Sequence, residues 1–271
     1  MIPKILHFVW VGDKPKPELV LKCIESWKKY CPDYEIKEWG NDCLKDIDNT
    51  YVKEAFEAKK WAFVSDYIRL FALKKYGGFY VDSDLEITQN LDEYLSYEFV
   101  SGYENYDNYI SPITALMGAQ KGSLIIKALL SEYDRRHFIL KDGSYDQTTN
   151  VTSITKLFEK KYGLKAPYIG TSRTLLGKDG VIEPYWIFCT PEEGKPNYSI
   201  HHFNGSWLDE YKRKNIFSVG RWTFVKFKQI KQIKSVVLPL QQNEKILWRF
   251  QMVNKRCVYA LLLKEDKKWK I

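Results

Sequence analysis

The sequence lacks most of the features that mark secreted, membrane-spanning or disulfide-bonded proteins. Its five cysteines are odd in number and form no C-x-x-C pair. This usage favours a reducing compartment, although Cys23 and Cys31 could in principle meet. No apolar run reaches the roughly 18 residues of a transmembrane helix, and the N-terminus has no basic patch followed by an apolar stretch. We therefore expect a cytoplasmic protein without a membrane span.

Internal repeats, low-complexity segments and a G-x-G-x-x-G motif are also missing. The last absence argues against a dinucleotide-binding fold of the dehydrogenase type. With 271 residues, of which 45% are hydrophobic, the chain can form one large globular domain with or without an appendage. The net charge of +8 is unevenly spread: residues 211–271 hold sixteen Lys and Arg against three acids, a net +13, and residues 1–210 carry −5.

The most informative stretch is residues 61–88, WAFVSDYIRLFALKKYGGFYVDSDLEIT. Its first half predicts a helix, because apolar residues recur at i, i+4, i+7 and i+8 from Phe63. The two glycines at 77–78 end that helix, and the strand that follows runs into Asp82-Ser83-Asp84. Two carboxylates at the carboxyl end of a strand suit Mg²⁺ or Mn²⁺. For the tripeptide alone, a solvated turn is the alternative.

Two further features bear on this segment. Asp66 and Arg69 lie side by side on the predicted helix, beside its apolar stripe; alone they could form a surface ion pair worth roughly a few tenths of a kcal/mol. Residues 199–207, SIHHFNGSW, contain His201 and His202. A neutral imidazole is a suitable ligand for Mn²⁺ beside two aspartates, whereas two adjacent histidines alone are more often structural.

The pattern S-D-x-x-R-x-x-x-L-x-x-x-G-G-x-Y-x-D-x-D at residues 65–84 resembles the sugar-binding region of glycosyltransferase family 32, which includes the fungal Golgi mannosyltransferases. The glucosyltransferase domains of clostridial toxins are similar there. The resemblance covers roughly residues 1–210 and implies a GT-A fold. It also implies a metal-dependent enzyme that moves a hexose from a nucleoside-diphosphate sugar, with UDP-sugar favoured, to a hydroxyl of a glycan or lipid-linked oligosaccharide with retention. The alternation of predicted strands and helices independently favours an α/β fold: a Rossmann-like mixed sheet flanked by helices.

The resemblance also implies roles for individual residues. The metal, Mn²⁺ or Mg²⁺, would be bound by Asp82, Asp84 and His202, the last preferred to His201 because H-F-x-G aligns with the H-x-x-G of related retaining transferases. The donor would be bound by Val9, Trp10, Asp66, Arg69, Asp82, Ser83, Gly205, Ser206 and Trp207. For Trp10 the alternative is ordinary core.

Other site residues are predicted from the chemistry of their side chains. The catalytic candidates are Asp82, Asp84, Gln147 and Asn150, with helix N-capping as the alternative for the last two. The E-N-Y-D-N-Y loop at residues 104–109 could contact a glycan acceptor or be plain surface. We expect His7 to satisfy a buried hydrogen bond rather than bind metal.

Residues 211–271 interleave basic with apolar side chains. We expect a basic amphipathic helical appendage to a catalytic domain at 1–210, bound to an anionic membrane surface, with a solvated helical face as the alternative. No recognisable nucleic-acid-binding fold accompanies it. The predicted setting is the inner face of the cell membrane, in surface or capsular polysaccharide biosynthesis.

Two other functions compete with sugar transfer. One is an aspartyl-phosphate phosphatase, whose motif expects Thr or Val where Glu86 stands. The other is a non-catalytic glycan-binding or membrane adaptor with a degenerate site.

Overall fold

The protein folds into two compact units, residues 1–203 and 204–271. The structure, a computed structural model, describes residues 1–45, 47–106, 109–146, 148–203, 211–229, 244–252 and 257–264. The predicted division at residue 210 lies just beyond the end of the first unit. Among the helices of these described ranges, none is long and apolar enough to cross a bilayer.

The first unit contains a mixed sheet with helices packed on it. Its strands are β1 (Ile5–Val9), β2 (Glu35–Trp39), β3 (Gly78–Val81), β4 (Leu85–Ile87), β5 (Phe99–Tyr106), β6 (Tyr109–Ala119), β7 (Thr174–Leu175), β8 (Val181–Glu183) and β9 (Ser199–His201). Its helices are α1 (Glu18–Tyr30), α2 (Thr50–Glu57), α3 (Trp61–Tyr76), α4 (Leu124–Ser131), α5 (Asn150–Tyr162) and α6 (Tyr185–Phe188), with 3₁₀ turns at Asp92–Tyr94 and Glu132–Arg135.

Seven strands form the central sheet in the order β2-β1-β3-β6-β5-β8-β7. Among the described strands, β1 pairs in parallel with β2 and β3, and β5 with β8, while β3–β6, β5–β6 and β7–β8 are antiparallel. This confirms the predicted mixed α/β sheet. Because β1 and β3 are parallel neighbours, the residues that follow Val9 and Val81 emerge at the same sheet edge.

Both faces of this sheet are covered. Phe79 and Val81 of β3 pack in the hydrophobic cluster that contains Trp27 of α1. Tyr80, between them, packs in the other cluster with Ile68 of α3. Successive strand residues point to opposite faces, so the apolar run in β3 reflects burial on two sides. In a sheet covered on both faces, the ends of the strands are where a ligand can bind.

Helix α3 follows its predicted bounds, but its buried surface is broader than the predicted stripe. Val64, Ile68, Leu70 and Leu73 are all fully buried, whereas Phe63 lies only partly buried at the margin. The helix packs against β1 and β3 on one side and against α2 and α4 on others. Tertiary packing on several sides therefore overrides the single apolar stripe that sequence periodicity indicates.

The second unit contains an antiparallel sheet rather than the predicted helix. Its strands are β10 (Tyr211–Val219), β11 (Trp222–Gln229), β12 (Glu244–Met252) and β13 (Cys257–Lys264), in the order β10-β11-β13-β12. Val219 pairs with Trp222 across a two-residue turn in which Gly220 has φ +55°. The helical prediction for this segment was wrong because it weighed the mixture of basic and apolar residues above their β-propensity and the turn glycine.

Candidate active site

The D-S-D motif forms the tight turn that links β3 to β4. The backbone N–H of Asp82 donates to the carbonyl of Ala115 at 2.8 Å, and that of Leu85 donates to the carbonyl of Asp82 at 3.0 Å. The two carboxylate side chains are only 24% and 16% exposed, for Asp82 and Asp84 respectively. The acids thus stand at the carboxyl end of a buried strand as predicted, in a turn that is only partly exposed to solvent.

A small antiparallel ladder brings the histidine motif to these acids. Strand β4 pairs with β9, and Leu85 lies opposite His201. The His201 Nε2 atom lies 3.5 Å from Asp84 Oδ1. One ligand atom each from Asp82, Asp84 and His201 lie within 4.8 Å of one another. Segments more than a hundred residues apart therefore supply a two-carboxylate, one-imidazole cluster.

The structure contradicts the choice of His202 as the third metal ligand. Its Nε2 atom lies 3.0 Å from Glu86 Oε2, and Lys22 also approaches that carboxylate at 3.3 Å. Consecutive residues of an extended chain point in opposite directions, so only one of the two histidines can face the aspartates. The pairing of Leu85 with His201 determines which one it is.

The electrostatics of the cluster fit a cation. Burial alone would lower the pKa of His201, but its contacts with Asp84 and Cys189 and the charge of Asp82 raise that pKa well above its usual value. The raised pKa reports a strongly negative potential. Among the residues that the structure describes, none forms a hydrogen bond of standard geometry with the buried Nδ1 atom. Two carboxylates and an imidazole form a donor set that Mn²⁺ and Mg²⁺ accept, so these residues fit a divalent cation.

Beneath Asp82 lies a buried network built on α3. Arg69 is 5% exposed and Asp66 9%. Arg69 Nη2 lies 3.1 Å from Asp66 Oδ1 and 3.2 Å from Asp82 Oδ1. The alternative of a surface ion pair is therefore wrong, because Arg69 is a buried cation between two carboxylates. A direct contact of Asp66 or Arg69 with a donor sugar stays a prediction.

Tyr80 also holds Asp82. Its hydroxyl donates to Asp82 Oδ1 at 2.8 Å and lies 2.8 Å from the Ser65 hydroxyl. The Arg69 guanidinium lies 4.4 Å from the centre of the Tyr80 ring. Burial and the charge of Asp82 raise the pKa of Tyr80 well above its usual value, so the hydroxyl stays a donor. One oxygen of Asp82 is thus fixed by two donors on the protein side.

Asn150 has a different position from the one predicted for a catalytic group. It is 3% exposed, and its amide is fully engaged: Nδ2 donates to the Asp66 carbonyl at 2.7 Å, and Oδ1 accepts from Tyr133 at 2.8 Å. Its backbone N–H donates to Asp66 Oδ2 at 3.1 Å. The residue therefore positions Asp66 and cannot contact substrate. The N-cap of α5 is Thr149, and Gln147 lies outside the described residues.

The remaining predicted donor-binding residues lie at or near the sheet edge, or outside the described part. Val9 is 7% exposed at the end of β1, and Trp10 is partly buried beside the cluster that contains Phe8. The Trp10 Nε1–H donates to the Lys14 carbonyl at 3.0 Å, and Ser83 sits in the D-S-D turn. Their contact with a nucleotide stays a prediction. Gly205, Ser206 and Trp207 lie outside the described residues.

The prediction for His7 is confirmed. Its Nε2 atom lies 2.8 Å from the Gly77 carbonyl, and its Nδ1 accepts from the Trp39 indole at 3.3 Å. The ring is fully buried. It serves as a neutral hydrogen-bonding side chain in the core.

Sequence reasoning missed Glu104 and Cys189 as neighbours of the cluster. One ligand atom each from Glu104, Cys189 and His201 lie within 4.8 Å of one another. The Ser111 hydroxyl donates to Glu104 at 2.8 Å, and burial raises the pKa of the Glu104 carboxyl. The only signal in the sequence was that Glu104 opens the polar loop at residues 104–109, most of which the structure assigns to the β5–β6 hairpin. Glu104 and Cys189 therefore lie directly beside His201.

Comparisons with known proteins find similarity to glycosyltransferases. Residues 17–100 match the family model described as glycosyltransferase sugar-binding region containing DXD motif. An uncharacterized glycosyltransferase of Acanthamoeba polyphaga mimivirus is 26% identical over 165 residues, or 58% of this chain and 63% of that protein. Inositol phosphoceramide mannosyltransferase 3 of Schizosaccharomyces pombe is 30% identical over 100 residues, or 35% of this chain and 28% of that protein.

Among solved structures, PaToxG glycosyltransferase matches with a TM-score of 0.43 at 19% identity, over 60% of this chain and 70% of its own. The chain spans less than two thirds of either curated relative described above. The family match includes Asp66, Arg69 and the D-S-D turn. The predicted resemblance is therefore confirmed over residues 17–100, which match the sugar-binding region containing the DXD motif, and both curated relatives carry the names of sugar transferases.

Proposed function

We propose that this protein transfers a hexose from a nucleoside-diphosphate sugar, with UDP-sugar favoured, to a hydroxyl of a glycan or lipid-linked oligosaccharide. The observation that carries the proposal is the convergence of Asp82, Asp84 and His201 at the carboxyl ends of the strands. The two aspartates lie within the stretch that matches the sugar-binding region. A divalent cation, Mn²⁺ or Mg²⁺, bound there would act as a Lewis acid toward the departing diphosphate.

The protein's own residues prepare this site in two ways. Asp82, Asp84 and His201 offer their donor atoms from one side, and Arg69 with Tyr80 fixes the orientation of Asp82 through its Oδ1 atom. Asp66, held by Asn150, keeps Arg69 in place from below. Because these supporting side chains are buried, we expect them to keep their positions while donor and acceptor bind.

The finer proposals concern stereochemistry and setting. We infer retention at the anomeric carbon from the family resemblance. We place the reaction in surface or capsular polysaccharide biosynthesis, at the inner face of the cell membrane. One relative's name pairs a mannosyltransferase with inositol phosphoceramide, which supports an acceptor carried on a lipid. The NMR spectrum of the first product, read for its anomeric configuration, tests retention.

The direct test measures donor hydrolysis and donor binding. UDP-galactose, UDP-glucose, UDP-N-acetylglucosamine and GDP-mannose are each incubated with the protein, with and without Mn²⁺. Release of the nucleoside diphosphate and a thermal shift are then recorded. We expect one UDP-sugar to give both signals only with the metal. Hydrolysis is a side reaction of transfer, so it needs no knowledge of the acceptor.

Two variants make this test specific. Asp84→Asn should abolish both signals, whereas Glu86→Gln, which changes the next acid along the chain, should keep them because Glu86 faces His202 and Lys22. Signals that survive Asp84→Asn would contradict the site. A magnesium-dependent phospho-aspartate would instead support the phosphatase, and absence of any donor signal would support an adaptor.

A further inference from the structure

The second unit presents an exposed aromatic sheet face that the proposed reaction does not use. We call it the aromatic face; it contains Phe217, Val219, Trp222, Phe224, Trp248 and Tyr259. The register places these residues on one side of the sheet, because Phe217 and Val219 pair with Phe224 and Trp222, and Trp248 and Phe224 both pair with Leu261. Val225, Ala260 and Leu262, which alternate with them, are buried on the other side.

Large apolar side chains on this face are open to solvent. Val219 is 69% exposed, Phe217 56%, Trp248 51% and Trp222 47%. The rings of Phe217, Phe224 and Tyr259 stack in a row, with centroids 5.4 and 6.0 Å apart. Contiguous exposed apolar surface of this kind marks an interaction site rather than the scattered apolar residues of an ordinary surface.

Basic residues accompany the aromatic face. Lys245 is exposed and shares the face, since it pairs with Leu263, which pairs with Trp222. Farther along the same ladder the register sets Lys212 opposite Lys228 and Lys214 opposite Lys226. The segment from 211 onward carries a net +13, so its partner should be an anion.

We propose that the aromatic face docks the protein on an anionic lipid bilayer. Tryptophan and phenylalanine partition into the interfacial region, Val219 adds aliphatic surface, and lysines contact the acidic headgroups. A second copy of this chain would bring two +13 segments together, which charge repulsion opposes. A nucleic acid would pair with the lysines but leave Val219 in water. An anionic bilayer provides both negative charge for the lysines and an apolar phase for the exposed apolar side chains.

The test is co-sedimentation of the full chain with vesicles. Phosphatidylcholine vesicles are compared with an equal mixture of phosphatidylcholine and phosphatidylserine, at low and high salt. We expect binding to the mixed vesicles that weakens with salt and weak binding to phosphatidylcholine alone. The double variant Trp222→Ser with Trp248→Ser should lower partition by about tenfold or more, because it lacks the two indoles that would be buried in the bilayer interface.

Single exposed positions guard against a folding artefact. Lys245→Gln cannot disturb a core and should lower partition about fivefold. Ile169→Ser, which changes a 77% exposed residue of the first unit, should leave it unchanged. Equal binding to both vesicle types, or loss in Ile169→Ser but not in Lys245→Gln, would overturn the proposal. Binding to a single-stranded oligonucleotide without vesicle binding, or dimerisation abolished by the Trp pair without vesicle binding, would also overturn it.

Discussion

Replacing Arg69 by methionine tests whether the buried network supports the site. The side chain is 5% exposed, and its Nη2 atom approaches both Asp66 and Asp82 within 3.2 Å. Methionine keeps much of the volume but removes the cation, so two carboxylates lose their partner. Breaking a buried ion pair from one side typically costs about 3–5 kcal/mol, against under about 1 kcal/mol for an exposed pair.

The loss should depend on pH in a defined direction. Burial raises the pKa of Asp66, and the charge of Arg69 works against that rise. Without Arg69 the pKa of Asp66 rises further. When the pKa of a carboxyl is raised in the folded state, the protein loses stability as pH rises through that pKa. The reason is that the unfolded chain binds fewer protons than the folded chain in this pH range. The deficit of Arg69→Met should therefore be larger near neutral pH than in acid.

Urea unfolding followed by circular dichroism measures this deficit at about pH 5 and about pH 7.5. Adding Asp66→Asn to Arg69→Met should restore part of the lost stability, because one uncompensated charge is gone. Lys16→Met, which breaks the more exposed pair with Glu38, is the control and should cost under about 1 kcal/mol. A similarly small loss in Arg69→Met, or a loss that grows in acid, would refute the reasoning.

Three further predictions concern the same unit. Burial lowers the pKa of His7 to about 4 from 6.5, so its contribution to the free energy of unfolding is fully present above pH 6.5 and is lost as pH falls toward 4. His7→Gln should remove about 3 kcal/mol of this acid sensitivity in urea titrations. Gly77→Ala should cost about 2 kcal/mol or more, because φ is +70° and a Cβ would meet Lys121 N at 2.7 Å; Gly163→Ala, with φ +66° and open space around it, should cost about half as much in the same titrations. Tyr80→Phe should weaken Mn²⁺ binding, measured by calorimetry, about tenfold, whereas Tyr103→Phe, which loses a hydroxyl contact to Thr174, should not; equal affinities in both variants would contradict the assignment.

Local signals made the segment at residues 61–88 predictable. Helix periodicity, the glycine that ends α3 and the β-formers of β3 all act within a few residues, and the structure reproduces each boundary. The carboxylates at the strand end follow directly from that local order. The same reasoning correctly assigned His7 to the core.

Tertiary pairing determines the features that the sequence left open or that were predicted wrongly. The choice between His201 and His202 depends on the register of β4 against β9, two strands from distant parts of the chain. Asn150 meets Asp66 across 84 residues, so its structural function could not be distinguished from a catalytic one. The second unit was mistaken for a helix because charge mixed with apolar residues suits either an amphipathic helix or a sheet.

The central claim is that Asp82, Asp84 and His201 hold one divalent cation. Electron spin echo envelope modulation of protein-bound Mn²⁺ detects a directly coordinated nitrogen. We predict a histidine nitrogen coupling in the wild type and in His202→Gln, and loss of that coupling in His201→Gln. A coupling that persists in His201→Gln and vanishes in His202→Gln would contradict the claim.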